Sequence, residues 1–260
     1  MIYYKTPARM PRFLFSTFEV QFMFLESFCQ SANGTISFTR EQASKFAKEV
    51  ADDFNPLHDI EAKRFCVPGD LLFSLVLEKS GLSQDMSFTF SGMVTDNIQL
   101  FFPDEINGSA AVVDNNDKEY MRIAASGDCT RNKQAITALT KAYVSFSGHT
   151  FPHILVKLMA DNNVMINPAR PMIMYESMAI HLDDLEFSDI SLSLAESKLV
   201  IDGKRGTADL IFDLVSEGKK IGSGKKHMLL SGLRPYDQAV IDEIVDGYTK
   251  TKADYFAALS

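Results

Sequence analysis

A carboxylate, an amide and an imidazole fall together at Asp53-Phe54-Asn55-Pro56-Leu57-His58. Proline biases the residue before it away from helical backbone, so a turn is expected at Asn55-Pro56. Such a turn can aim Asp53 and His58 at one point, as neither a straight helix nor a strand would. A carboxylate and an imidazole that converge make a proton-handling pair. Between them, Asn55 can bond turn backbone, Pro56 fixes the turn and Leu57 anchors it in the core. Further along, Pro68-Gly69 opens an apolar segment of helical length. The unsatisfied N–H groups and dipole of a helix start favour an oxyanion, which is the third component that acyl chemistry needs.

The elements around these residues follow from periodicity and punctuation. Residues 35–38 read as a short strand, and Thr39-Arg40-Glu41-Gln42 is the capping box of a helix on which Ala43, Phe46, Ala47 and Val50 form an apolar stripe. The helix begun at Asp70 runs to Ser80 and closes on Gly81. Its apolar residues surround most of its circumference, and a sheet wrapped around it would bury them. Strands are expected at 86–90, 98–102, 110–113, 120–125 and 142–146. A second cycle follows, with a helix over 171–180, strands from Ile190 to Leu194, over 208–215 and over 221–230, and an amphipathic helix over 239–256. The division expected is an N-terminal extension at 1–34, a first domain at 35–150 carrying the motif, and a second at 151–260.

Asp-Phe-Asn-Pro-Leu-His, followed by Ala62-Lys63-Arg64-Phe65 and a glycine-led apolar helix, resembles the signature of the MaoC-like, (R)-specific enoyl-thioester hydratases over residues 40–80. The chain as a whole is also similar to an uncharacterised proteobacterial family, which carries no function with it. The hydratase resemblance implies an α+β, tandem (double) hot-dog fold: an antiparallel sheet wrapped around a long apolar helix, with the second half degenerate. It makes Asp53 and His58 the acid/base pair, Asn55 a site-shaping residue, and Gly69 the amide donor to a thioester carbonyl. The substrate would be an acyl thioester of coenzyme A or acyl carrier protein, with no separate cofactor. Lys63 and Arg64 are the candidate contacts for its phosphates or carrier. A homodimer is open, because hot-dog sheets pair edge to edge. Asp52 stands where the family usually has glycine, and is expected to act on Asp53 or compete for His58. Asp70 is unremarkable as a helix cap, but places negative charge beside the oxyanion site.

Composition limits the alternatives. A formal charge of -8 and a pI of about 5.2 disfavour a bulk grip on nucleic acid, and the 46% hydrophobic, 23% charged make-up is that of a globular protein. No stretch has the length of a membrane span. Lys5, Arg9 and Arg12 with Phe13-Leu14-Phe15 suggest a leader, but the apolar run is too short. Residues 1–22 then read as an upstream extension, with Met23 an alternative start, and the location expected is the cytoplasm. Cys29, Cys66 and Cys129 form no CxxC pair and read as reduced, mostly buried thiols. His149, His153, His181 and His227 are the poorer candidates. Lys219, Lys220, Lys225 and Lys226 read as a solvated hairpin tip in preference to a phosphate site. No metal cluster, phosphate loop, nucleophile elbow or dinucleotide fingerprint is found. Three functions stay open: hydration of an enoyl thioester or its reverse, non-catalytic binding of acyl thioester or fatty acid, and thioester hydrolysis.

Overall fold

The computed structural model describes residues 24–259; the expected extension up to Met23, with its basic residues and Phe13-Leu14-Phe15, lies outside them. After a 3-10 turn at Glu26–Phe28, strands β1 (Gln30–Ala32) and β2 (Thr35–Ser37) pair as a hairpin, with Leu25 and Phe28 buried in the main core. Helix α1 (Arg40–Glu49) starts on the expected capping box: Thr39 Oγ1 accepts from Gln42 N at 3.2 Å, and Gln42 Oε1 accepts from Thr39 N at 3.1 Å. A 3-10 turn at Pro56–His58 carries the motif toward α2 (Gly69–Ser80). Along α2, Leu71, Leu72, Phe73, Leu75, Val76 and Leu77 are all buried. It ends at Gly81, where φ is +93° and a Cβ would lie 2.9 Å from Thr130 O, so only glycine fits.

Next come β3 (Leu82–Phe90), β4 (Leu100–Phe101), β5 (Ser109–Asp114) and β6 (Glu119–Thr130), then α3 (Lys133–Gly148) and α4 (Leu155–Asp161). The second set of strands is β7 (Val164–Met165), β8 (Ile173–Leu182), β9 (Ser191–Asp202), β10 (Arg205–Ser216), β11 (Lys219–Ser231) and β12 (Arg234–Pro235), before α5 (Gln238–Leu259).

Two expected elements are exchanged. Residues 142–146 are the last turns of α3, not a strand. The helix starts at Asn132, whose side chain accepts from Gln134 N and Ala135 N, and Ala135, Ile136, Leu139, Tyr143 and Val144 make its buried stripe. Residues 171–180 are mostly β8, not a helix: Met178, Ile180 and Leu182 alternate into the core, and neighbours β3 and β11 take up the backbone groups on both sides.

One ten-stranded sheet runs in the order β1-β2-β4-β5-β6-β3-β8-β11-β10-β9, every pairing antiparallel. The protein is therefore α+β and built on a large antiparallel sheet. Outward from the β3–β8 junction, the order is β3-β6-β5-β4 on one side and β8-β11-β10-β9 on the other, the same sequence of chain positions twice. One continuous core joins α2 and α3 to inward residues of both sets, among them Phe88, Ile123, Met178, Ile180 and Phe212. A smaller core gathers α4, α5 and the ends of β9, β10 and β11 around Leu158, Met159, Leu210, Met228 and Ile241.

Two helical glycines test this packing in opposite directions. Gly148 ends α3 so close to the preceding segment that a Cβ would lie 1.7 Å from Ala51 O, whereas nothing lies within 4 Å of one on Gly247 in α5. In urea unfolding, Gly148→Ala is expected to destabilise by about 1–3 kcal/mol through overpacking. Gly247→Ala is expected to stabilise by roughly 0.5–1 kcal/mol through helix propensity.

Candidate functional site

α1 delivers the chain to the motif through a left-handed residue, Asp52, with φ +56°. Glycine is the usual occupant of such a position, and Asp is among the few other residues that take it up readily. Asp53 N then donates to Ala47 O at 2.8 Å. Its Oδ1 accepts from Asn55 N at 2.9 Å, and Asn55 Oδ1 accepts from Leu57 N at 3.1 Å, capping the turn. His58 Nδ1 lies 2.7 Å from Cys66 O. A carbonyl only accepts, so Nδ1 carries the proton and Nε2 of the neutral ring is left as a base. That Nε2 faces Asp53 Oδ2 at 3.6 Å, with the side chains 12% and 26% exposed. The separation is too long for a direct hydrogen bond, and a water within reach of both would give one proton to each.

The loop beyond the motif is held by two cations of α1, Arg40 and Lys48. Arg40 donates from Nη1 to Ile60 O at 2.9 Å and Ala62 O at 3.1 Å, and from Nε to Asp96 Oδ1 at 3.1 Å. Lys48 pairs with Asp59 at 2.8 Å. Lys63 and Arg64 are exposed on this loop, Arg64 lying against Met172 Sδ at 3.8 Å.

Asp52 does not compete for His58. Its Oδ2 is taken by Lys252 of α5 at 2.5 Å and by His149 Nε2 at 3.1 Å. The same helix closes over the motif. Tyr248 Oη accepts from Phe54 N at 3.2 Å and donates to Asp52 O at 3.1 Å. The rings of Tyr248, Tyr255 and Phe256 stand edge-on around Phe54 at 5.7–6.0 Å.

Gly69 is the first residue of α2, so its N–H has no partner within the helix. It is also a place of close approach, since a Cβ would meet the Phe90 ring at 3.0 Å. Asp70 is not the helix cap expected; Pro68 holds that position. Asp70 is turned inward, 8% exposed, and its Oδ2 accepts from Ser147 Oγ at 2.6 Å. Ser147 in turn accepts from Lys226 Nζ at 2.6 Å, and Lys226 also reaches Ser147 O at 3.3 Å and Thr150 Oγ1 at 3.4 Å. Lys226 is 5% exposed, which corrects its placement on a solvated hairpin tip. It sits on β11 in phase with the buried Met228 and Leu230, while Lys225 is exposed on the opposite face; that alternation was the available signal. Above Lys226 lies the Tyr175 ring, at 4.6 Å from Nζ, and Tyr175 shares a hydroxyl contact with Tyr143.

Burial governs the electrostatics of this cluster. It pushes the Asp70 carboxyl up, and Lys226 and the Ser147 hydrogen bond oppose the rise; Asp53 adds to it and His58 subtracts, so all lie within one another's field. Burial pushes Lys226 down against the pull of Asp70 and Asp53. Both tyrosines are raised well above the phenol range, mainly by desolvation.

The other candidates fall elsewhere. His181 lies on an exposed strand surface between Asp85 and Asp183, the Asp85 hydrogen bond raising its pKa. His227 is held between Asp209 and Glu176. Cys129 is exposed, and Cys29 and Cys66 are half-buried. Among the described residues no group of His, Cys, Asp and Glu is arranged to hold a metal, and no helix is long and apolar enough to cross a membrane.

The chain belongs to the family described as Protein of unknown function (DUF3581), whose model matches residues 23–239; α5 lies beyond that match except for its first two residues. No curated protein matches the sequence. Among solved structures the chain is similar to the acyl-CoA thioesterase II TesB2 from Mycobacterium marinum, with 7% identity and a TM-score of 0.37 over 65% of this chain and 90% of that one. It is also similar to a conserved hot-dog-fold protein of unknown function from Alicyclobacillus acidocaldarius, with 7% identity and a TM-score of 0.43 over 82% of this chain and 98% of that one. Likeness at this level assigns no chemistry.

Tyr248→Phe removes one donor and one acceptor from the backbone of Asp52 and Phe54 while keeping the ring. A loss of roughly 1–3 kcal/mol is expected in urea unfolding, together with faster hydrogen exchange at the Phe54 amide.

Proposed function

We propose that the chain adds water to an acyl thioester of coenzyme A or acyl carrier protein at Asp53 and His58. The observation that carries this reading is the 3.6 Å approach of Asp53 Oδ2 to His58 Nε2, with the imidazole oriented by Cys66 O so that its basic nitrogen faces the carboxylate. Such a pair can take a proton from water and return one to the substrate. The start of α2, where the Gly69 N–H has no partner within the helix, offers a donor of the kind a thioester carbonyl needs as negative charge develops on it. Asn55 shapes the turn, and exposed Lys63 and Arg64 offer cations to the phosphates or the carrier.

The MaoC-like resemblance supports hydration of an enoyl thioester, or its reverse, in a tandem hot-dog chain. The doubled strand order about β3 and β8 supports the tandem reading. Pairing of edge strand β1 or β9 with a second copy is the homodimer this reading allows, and coenzyme A or carrier thioesters as substrates suit a cytoplasmic protein. Hydrolysis is the second reading. It is favoured by buried Asp70, a carboxylate next in sequence to the residue that would hold the carbonyl, since hydrolysis directs water at the carbonyl carbon and hydration directs it at the β carbon.

Loss of enoyl absorbance from crotonyl-CoA, measured beside thiol release from saturated acyl-CoA, separates the two. Asp53→Asn and His58→Gln are each expected to lower the observed reaction by roughly 10²–10⁴-fold with melting temperatures near wild type. Binding of both thioesters without turnover would make the protein a carrier or sensor, and absence of binding would contradict the proposal.

A further inference from the structure

The Asp70 cluster contains a feature that packing alone does not require. Asp70 Oδ1 is buried and has no hydrogen-bond partner among the described residues, although Oδ2 is bound by Ser147 at 2.6 Å. Buried polar atoms are nearly always partnered, and a carboxylate oxygen without a donor is costly in a site of low dielectric. Behind it runs a continuous chain of hydrogen bonds: Lys226 Nζ to Ser147 Oγ at 2.6 Å, and Ser147 Oγ to Asp70 Oδ2. An ammonium only donates and a carboxylate only accepts, so the serine hydroxyl accepts from the one and gives its single proton to the other, and the polarity of the chain is fixed. Lys226 comes from β11 and Asp70 from α2, so the chain spans the two sets of strands.

We infer that Asp70 Oδ1 is a third acceptor of the water-adding site, orienting the reacting water beside Asp53 and His58, and that Lys226 and Ser147 are the positioning residues that keep it charged and in place. The inference rests on the reading of the site given above and adds to it a lysine from the second half of the chain. The oxygen without a donor belongs to the residue next to Gly69, and three consecutive residues tie it to the motif: Ser147 bonds Asp70, Gly148 lies against Ala51, and His149 reaches Asp52.

The groups that face Asp70 set the sign of the effect. From α3 come Ser147 and Tyr143, from β8 Tyr175, from β11 Lys226, and from the motif turn Asp53 and His58. Burial and Asp53 favour the protonated carboxyl, and Lys226, Ser147 and His58 favour the carboxylate. Removing Lys226 therefore moves the titration of Asp70 to higher pH, and any rate that needs the carboxylate loses its acid side first.

The experiment measures the pH profile of turnover, with crotonyl-CoA and saturated acyl-CoA as probes, for the full chain and for Lys226→Met, Ser147→Ala, Lys226→Arg and Asp70→Asn. Lys226→Met and Ser147→Ala are expected to shift the acid limb upward, by one pH unit or more for Lys226→Met, and Lys226→Arg to restore it. Asp70→Asn is expected to lower the rate at least tenfold and remove the Asp70-dependent part of the limb. Profiles of Lys226→Met and Ser147→Ala that superimpose on wild type, with only the melting temperature changed, would overturn the inference in favour of a structural bridge. Titration of the Asp70 carboxyl by carbon-13 NMR, assigned with Asp70→Asn, keeps the two readings apart. A wild type without turnover but with an Asp70 midpoint raised in Lys226→Met overturns the water-adding reading and the role in orienting water, leaving the charge coupling. An unshifted midpoint overturns the coupling whatever the activity.

Discussion

An acidic and a basic side chain, Asp70 and Lys226, are buried where α2, α3 and β11 meet, and the geometry of the motif depends on how they are joined. Moving a carboxylate and an ammonium out of water costs several kcal/mol for each ion, and their attraction offsets this only with good geometry and further hydrogen bonds. Here Asp70 and Lys226 do not touch. Ser147 stands between them with 2.6 Å bonds to each, which fixes the end of α3 against both partners. The next two residues transmit that fixation: Gly148 lies against Ala51, with no room for a side chain, and His149 reaches Asp52 Oδ2 at 3.1 Å. Three consecutive residues at the C-terminal end of α3 thus set the backbone from which Asp53 and His58 project.

The motif is enclosed from the other side by α5. Phe54, between the two candidate proton-handling residues, is buried under Tyr248, Tyr255 and Phe256, and the Tyr248 hydroxyl bonds the backbone on both sides of Asp53. A site that polarises a carbonyl gains from exclusion of bulk water, because hydrogen bonds and charges act more strongly at low dielectric. The family match ends at residue 239, so the aromatic residues of α5 that close over Phe54 lie outside it.

Local signals were legible in the sequence and distant ones were not. The Thr39–Gln42 capping box, the Asn55-Pro56 turn and the closing Gly81 each act within a few residues, and all stand as expected. Residues 142–146 and 171–180 were misread because a short apolar run has no period of its own. Asn132 supplies the missing start for the first, and alternation of Met178, Ile180 and Leu182 supplies the phase of the second. Asp52 looked like a rival to Asp53 because its partners, Lys252 and His149, are remote in sequence. Lys226 was lost in a run of lysines, although strand alternation with Met228 and Leu230 places it inward.

In the proposed reaction an acyl thioester lies with its carbonyl at the start of α2 and its reacting carbon beside Asp53 and His58. A crystal structure with a non-hydrolysable ketone or thioether analogue of acyl-CoA tests it most directly. The analogue's carbonyl oxygen, or the thioether carbon in its place, is expected at the first turn of α2 near Gly69, with Asp53 and His58 on the reacting side. An analogue seated elsewhere, such as the open groove on the strand face lined by Asp85, His181 and Lys225, would contradict it.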